Sequence, residues 1–348
     1  MPEPRPFLAA AVQAAPVFMD REATVEKACA LIAEAAAGGA KLIVLPEAFV
    51  PAYPAWMWTL PLTRRADVVA LHRALLENSV GVPGPESARL GEAAKAARAW
   101  VSIGVNERNT ESSGTTLYNT TLLFDDTGRL VEKRRKLMPT GAERMVWSTG
   151  GPVPLAVHDT PLGRLSSLIC WENYMPLARY ALYERGTQVH LAPTWDKSDQ
   201  WVAGMRHIAR EGRMFVIACC QALHRDQVPD RWPFKDTLPA EMKWINVGNS
   251  MIVDPDGLLL AGPVAERETT LYAEIDPGRA SGLRWIFDAA GHYNRPDLFS
   301  FSMRGAEPVA ATPSAGRARA RRAGAAAAKK RPVRASRPAA NTKKRRRG

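Results

Sequence analysis

The sequence predicts an α/β globule built on a mixed sheet or sheets, and three observations carry that reading. Short apolar runs alternate along the chain with amphipathic helical patterns. The run Leu117 to Phe124 leads through Asp125-Asp126-Thr127-Gly128 into Leu130 to Lys136, two strands joined by a tight turn. A second hairpin turn, Asp254-Pro255-Asp256-Gly257, follows the run Met251 to Val253.

In chain order, residues 8 to 14 read as a buried strand. Asp20 or Arg21 to Ala37 reads as an alanine-rich amphipathic helix closed by Gly38-Gly39. Leu42-Ile43-Val44-Leu45 is a second buried strand, stopped by Pro46. Helical patterns return across Thr63 to Leu76 and Glu86 to Ala97, then strands at Val101 to Val105 and through the first hairpin. Strands follow near Leu165 to Cys170, Val189 to Ala192 and Met214 to Cys219, with helices from about Met175 to Tyr183 and Gln200 to Arg210 between them. The runs Met251 to Val253 and Leu271 to Ile275 complete the order.

With 348 residues, 46% of them hydrophobic, the chain can bury a large core in one large domain or two. Cys29, Cys170, Cys219 and Cys220 have no metal-ligand spacing and form no CxxC pair, a usage that fits a reducing cytoplasm. The N-terminal stretch is too short and polar for a signal peptide, and no run approaches membrane-spanning length. The net charge of +12 is local. From Arg304 onward there are 15 Lys and Arg against one acid, Glu307, while the other 32 bases and 34 acids nearly cancel. Residues 306–348, rich in Ala, Arg, Lys and Pro, lack the apolar surface that offsets ordering entropy and are expected to be disordered. Such a tail could bind nucleic acid or another polyanion through its cations. With no aromatic residue interleaved among the bases, a solvated tail without a dedicated partner is the favoured reading.

Three residue types suggest chemistry. Cys170 lies where an apolar run gives way to Trp171-Glu172-Asn173-Tyr174-Met175-Pro176, with a helix beyond; a small apolar core residue is the ordinary alternative. Glu47 follows Leu45-Pro46 at a strand end, where open α/β sheets place ligands. Lys136 closes the run Lys133-Arg134-Arg135-Lys136, in which strand alternation sends Arg134 and Lys136 to the face opposite Lys133 and Arg135. A free thiol has a pKa of about 8.5 and needs a base or a cation to become a nucleophile. Glu47 can take the thiol proton and later activate water, Lys136 can stabilise developing negative charge, and Glu143 can hold the lysine. GxSxG, HExxH, GxxxxGK and GxGxxG are absent, and the six histidines stand in no catalytic signature.

At this point the chain resembles the nitrilase superfamily of carbon-nitrogen hydrolases, and within it the nitrilase branch. Leu45-Pro46-Glu47-Ala48-Phe49, Arg135-Lys136-Leu137-Met138-Pro139-Thr140 and Cys170-Trp171-Glu172-Asn173-Tyr174-Met175-Pro176 are similar to the motifs that carry that family's glutamate, lysine and cysteine. Val50-Pro51-Ala52-Tyr53-Pro54, Glu143-Arg144 and Gly291-His292-Tyr293-Asn294-Arg295-Pro296-Asp297 add to the match, which spans about residues 7 to 300.

The resemblance implies a four-layer α-β-β-α sandwich in residues 1–305, no metal or organic cofactor, and self-association into dimers and larger oligomers or spirals. It also implies hydrolysis of a nitrile to carboxylic acid and ammonia. Cys170 would be the nucleophile, Glu47 the general base, Lys136 the stabilising cation, Glu143 a supporting glutamate, and the backbone N–H of Trp171 a further donor. Tyr53, Trp147, Trp171 and Trp195 lie in or beside the matched segments and are the expected pocket aromatics. His292 is expected to serve structure or an interface. One departure is Trp147-Ser148-Thr149-Gly150-Gly151-Pro152-Val153, where many nitrilases carry Gly-Asp-Gly-Ser. The same site could instead act as an amidase or carbamoylase, or release amide as a hydratase does. A reading of a different class makes the globule a scaffold and the tail a polyanion-binding arm.

Overall fold

The computed structural model describes residues 4–153 and 155–304. Its strands and helices, in chain order, are β1 (Phe7–Gln13), α1 (Arg21–Ala37), β2 (Leu42–Val44), α2 (Arg65–Glu77), α3 (Pro85–Ala97), β3 (Trp100–Arg108), β4 (Leu117–Phe124) and β5 (Leu130–Arg135). There follow β6 (His158–Thr160), β7 (Gly163–Ser167), α4 (Pro176–Glu184), β8 (Val189–Thr194), α5 (Asp199–Gly212), β9 (Phe215–Cys220) and β10 (Ala222–His224). Finally come β11 (Trp244–Val253), β12 (Leu259–Ala265), β13 (Thr269–Ile275) and α6 (Pro277–Leu283).

The strands form two sheets. One has the order β13-β1-β2-β3-β4-β5, with β1, β2 and β3 parallel and the outer pairs antiparallel. The other runs β10-β11-β9-β8-β7-β6, with β12 also paired to β11 and with β7, β8 and β9 parallel. Strand alternation explains how they stack. Ile43 on β2 faces outward, where Val101 and Ile103 meet Val25, Ala28 and Ile32 of α1 and Leu90 and Ala94 of α3. Leu42 and Val44 face inward, into a cluster shared with Leu191, Phe215, Ile217 and Ile252 of the second sheet. On that sheet's far side, Val216, Ala218 and Met251 pack on Trp201, Met205 and Ile208 of α5. Leu168 packs there on Ala178, Ala181 and Leu182 of α4. The layers are therefore α, β, β and α. Each fully buried aliphatic side chain contributes roughly 1.5–3 kcal/mol by leaving water. Cys219 ties the sheets as well, its buried thiol lying 3.3 Å from the carbonyl oxygen of Val12 and 3.2 Å from that of Val44.

Local signals account for the helix that covers the first sheet. The Asp20 carboxylate accepts the Ala23 N–H and caps α1, and Gly39 leaves the helix at φ 96°, which costs a glycine little. One sequence expectation is corrected, and one strand is added. The strand read as Leu165 to Cys170 stops at Ser167, because from Ile169 onward the backbone bends into a 3-10 turn, Cys170–Tyr174. Strand β12, unread in the sequence, carries Gly262 and Pro263, which break the strand pattern. It pairs with β11 at the sheet's edge, where a missing N–H is tolerated.

Among the described residues no helix is long and apolar enough to cross a membrane. Residues 306–348, read above as a basic tail, lie outside the described residues. The segment carrying His292 is an exposed run of turns after α6.

Candidate active site

Glu47 is delivered by a close backbone approach. After β2 the chain crosses directly over Gly104 of β3, where a Cβ would stand 2.4 Å from the Ala48 nitrogen and 2.5 Å from the Pro46 oxygen. The Gly104 N–H donates to the Pro46 carbonyl at 3.1 Å, and Ala48 takes φ 47° to turn the chain back. The Glu47 carboxylate is thereby fully buried. Its Oε1 accepts Asn119 Nδ2 and Lys136 Nζ, each at 2.7 Å. Its Oε2 has no partner among the described residues and stands ready for a proton.

Lys136 stands one residue beyond β5, held by its backbone N–H to the Asn119 carbonyl at 2.7 Å. Alternation does what the sequence implied. Lys133 and Arg135 turn to one side and share Glu107 at 3.0 and 2.7 Å, while Arg134 and Lys136 turn to the other and are buried. Lys136 Nζ sits 2.7 Å from Glu47 Oε1 and 2.7 Å from Glu143 Oε2. Glu143 lies in the short turn Gly141–Met145, where Oε2 also accepts the Thr140 N–H at 2.7 Å and Oε1 accepts the Tyr53 hydroxyl at 2.8 Å. Trp58 extends the chain by donating its indole N–H to the Tyr53 oxygen at 3.1 Å.

Cys170 comes from the other sheet. It opens its 3-10 turn at φ 52°, a left-handed conformation that costs a β-carbon residue on the order of 1–3 kcal/mol unless the surroundings enforce it. Glu172 enforces it. Its carboxylate accepts the backbone N–H groups of Ile169 and Leu137 and pairs with buried Arg134 at 2.9 Å. Asn173 does the same from beneath, donating to the carbonyls of Leu168 and Cys170 at 2.9 Å each. His190 bridges Asn173 and Ser166 at 2.8 Å on either side. Burial, with Arg134 and Arg179 nearby, pulls that imidazole down to about 3, so it stays neutral and serves as a strut. The Thr194 hydroxyl donates to the Cys170 sulfur at 3.2 Å.

The electrostatics follow from burying two carboxylates with one ammonium. Burial raises Glu47 to about 7 despite Lys136, with Glu143 adding to the rise. Burial opposes the charge on Lys136, yet Glu47, Cys170 and Glu143 hold its pKa above the usual value, so it remains an ammonium. Burial, then the Glu47 anion, push the Cys170 thiol up against the pull of Lys136. At rest the sulfur is a neutral thiol in the field of the Glu47 carboxylate.

Cys170 and Glu143 lie on the wall of a cavity of about 760 Å³. Tyr53, Trp171 and Trp195 line it as well, with Tyr53 and Trp195 stacked at 4.3 Å and 3°. Trp147 does not reach it. Its ring stands edge-on behind Tyr53 at 5.5 Å, and its buried indole N–H donates to Asn106 Oδ1 at 2.9 Å. Sequence reading missed Trp58 and Tyr174 on the cavity wall, and Asn119, Thr194, Glu172 and Arg134 behind it. Arg134 had a signal in the alternation around Lys136, Glu172 and Tyr174 stand in the segment that carries Cys170, and Trp58 lies five residues from Tyr53; Asn119 and Thr194 depend on pairings distant in sequence. Among the described residues no group of three His, Cys, Asp or Glu side chains could hold a metal ion.

Comparison with known proteins gives a family. The family profile described as carbon-nitrogen hydrolase matches residues 8–284. An aliphatic nitrilase of Sinorhizobium fredii (strain HH103) is 44% identical over 298 residues, covering 84% of this chain and 94% of that protein. The bifunctional nitrilase/nitrile hydratase NIT4B of Nicotiana tabacum is 39% identical over 320 residues, covering 89% of this chain and 90% of that protein. In fold, the crystal structure of a carbon-nitrogen hydrolase from Helicobacter pylori G27 superposes with a TM-score of 0.65 at 18% identity, over 85% of this chain and 97% of that one. The chain belongs to the carbon-nitrogen hydrolase family and, within that superfamily, to its nitrilase branch.

Proposed function

We propose that this protein is a nitrilase, converting an organic nitrile and two waters to a carboxylic acid and ammonia. The observation that carries the reading is the fully buried Glu47–Lys136–Glu143 cluster beside Cys170 at the cavity wall. Glu47 takes the Cys170 proton as sulfur bonds to the nitrile carbon, and that proton passes to nitrogen, giving a thioimidate. Lys136 and the backbone N–H of Trp171 stabilise the developing negative charge. Water adds with Glu47 as base, ammonia leaves, and a second water hydrolyses the thioester, returning the proton to sulfur. A linear nitrile offers little to hold, so positioning by Tyr53, Trp171 and Trp195 matters as much as activation.

Amide release is a second outcome of the same site, supported by the bifunctional name of the tobacco relative. It arises when the tetrahedral adduct expels sulfur before ammonia. Residues 1–305 are proposed as the catalytic domain, with residues 306–348 dispensable for chemistry. Self-association is part of this reading, and the four free thiols support a reducing compartment such as the cytoplasm.

Ammonia and amide release from aliphatic, arylacetic and aromatic nitriles, with the matching amides and a Cys170→Ala control, tests the proposal. Turnover in the Cys170→Ala protein would overturn the mechanism, and faster turnover of the amides than of the nitriles would overturn the substrate class.

A further inference from the structure

The cavity is lopsided in charge. Glu143 and Asp196 line it, and among its described lining residues there is no Lys, Arg or His. Glu143 is bound to Lys136 and Tyr53, whereas Asp196 accepts only neutral donors, the Ser198 N–H on Oδ1 at 2.9 Å among them, and has no ion pair among the described residues. Aromatic faces surround it. The Trp171 indole N–H donates to Asp196 Oδ2 at 2.7 Å, and Tyr174 stands edge-on to Trp171 at 5.8 Å. Trp195 precedes Asp196 in sequence and closes the wall with Tyr53. Trp58, Trp171 and Tyr174 are 49%, 50% and 38% exposed, so their surface is open to a ligand. Burial, then Asp196, raise the Tyr174 hydroxyl to about 12, so the cavity wall carries it as a neutral phenol.

Lys197, next to Asp196 in sequence, donates its ammonium to the Ile245 carbonyl and lines a neighbouring cavity of about 370 Å³ that Asp196 also borders, and it forms no ion pair with Asp196 among the described residues. A carboxylate fringed by indole and phenol rings, one tryptophan side chain away from the nucleophile, is a surround that attracts organic ammonium groups. The ring faces offer negative potential, and the acid supplies the counter-charge. A carboxylate-bearing nitrile would meet two anions here.

Resting on the nitrilase reading, we infer that the preferred substrates are cationic nitriles, with the ammonium group held by Asp196, Trp171 and Tyr174 while the nitrile reaches Cys170.

Three nitriles of equal reach test this: 4-(trimethylammonio)butanenitrile, its neutral carbon isostere 5,5-dimethylhexanenitrile, and the anion 4-cyanobutanoate. With the wild-type protein, kcat/KM for the cation should exceed that for the neutral isostere by about tenfold or more, with the anion slowest, and 0.5 M salt should narrow the gap. In Asp196→Asn the cation-to-neutral ratio should fall to near one. A neutral isostere that equals or beats the cation in the wild type, or an unchanged ratio in Asp196→Asn, would overturn the inference and leave the nitrilase reading standing. Should Asp196→Asn not fold, the wild type alone decides. Choline should quench its tryptophan fluorescence at lower concentration than 3,3-dimethylbutanol, and the reverse order would refute the inference. Choline binding without ammonia from any of the three nitriles would instead overturn the nitrilase reading.

Discussion

The Tyr53 hydroxyl donates to Glu143 Oε1 at 2.8 Å while Lys136 occupies the other oxygen, so a pocket aromatic and the buried cation share one carboxylate. The substrate wall and the acid–base cluster are thereby one hydrogen-bonded unit. Replacing Tyr53 with Phe keeps the stack on Trp195 and removes the bond. A buried carboxylate oxygen left without its donor costs about 1–3 kcal/mol. The expected result is a fall in kcat/KM of roughly tenfold or more by steady-state kinetics, with Cys170 alkylation by iodoacetamide still blocked by substrate.

The pH profile should follow Glu47. The proposed reaction uses its carboxylate as base, and burial has raised that group to about 7. The kcat/KM should therefore drop as pH falls below about 7, with unit slope, and level off above it. A flat profile between pH 5.5 and 8 would rule out Glu47 as the base.

Stability should move the opposite way. The folded state holds the Glu47 proton more tightly than the unfolded chain does, so this group's contribution is fully present below the unfolded carboxylate range near 4.3. It is lost as pH rises through about 7. Glu47→Gln removes that dependence. Its melting temperature relative to wild type should be higher at pH 8 than at pH 5, read by thermal unfolding at both values.

Arg134→Met should disable the enzyme without touching the cavity. It leaves Glu172 as an uncompensated buried charge, a loss of about 3–5 kcal/mol, and Glu172 fixes the backbone around Cys170. A large drop in melting temperature together with lost activity is expected. The double variant Arg134→Met with Glu172→Gln should recover part of the stability and little of the activity.

Most of the fold was legible because its signals are local: strand periodicity, the glycine stop after α1 and the two Asp-rich turns. Glu47, Lys136 and Cys170 were legible because each sits in a distinctive short segment. Trp147 misled because an aromatic beside a motif looks the same from sequence whether it faces the cavity or stands behind Tyr53. Asn119 and Thr194 stayed hidden because their partners, Glu47 and Cys170, are brought to them by strand register and sheet stacking, which no window of neighbouring residues encodes. The turn at Cys170 was hidden for a related reason, since its left-handed backbone is held by Glu172 through contacts to Arg134 and Leu137 on a different segment.

Glu47, Asn119 and Lys136 ride on the six-stranded sheet, while Cys170 and Thr194 ride on the seven-stranded one. The proposed base and nucleophile thus have no covalent path shorter than a long stretch of chain, and their spacing is set by the apolar filling between the layers together with the Cys219 and Glu172–Arg134 ties. Turnover then serves as a gauge of interlayer registry. Trimming that filling at Leu191 or Ile217 should lower the rate through a sub-ångström slip, under conditions where circular dichroism still reads every strand as intact.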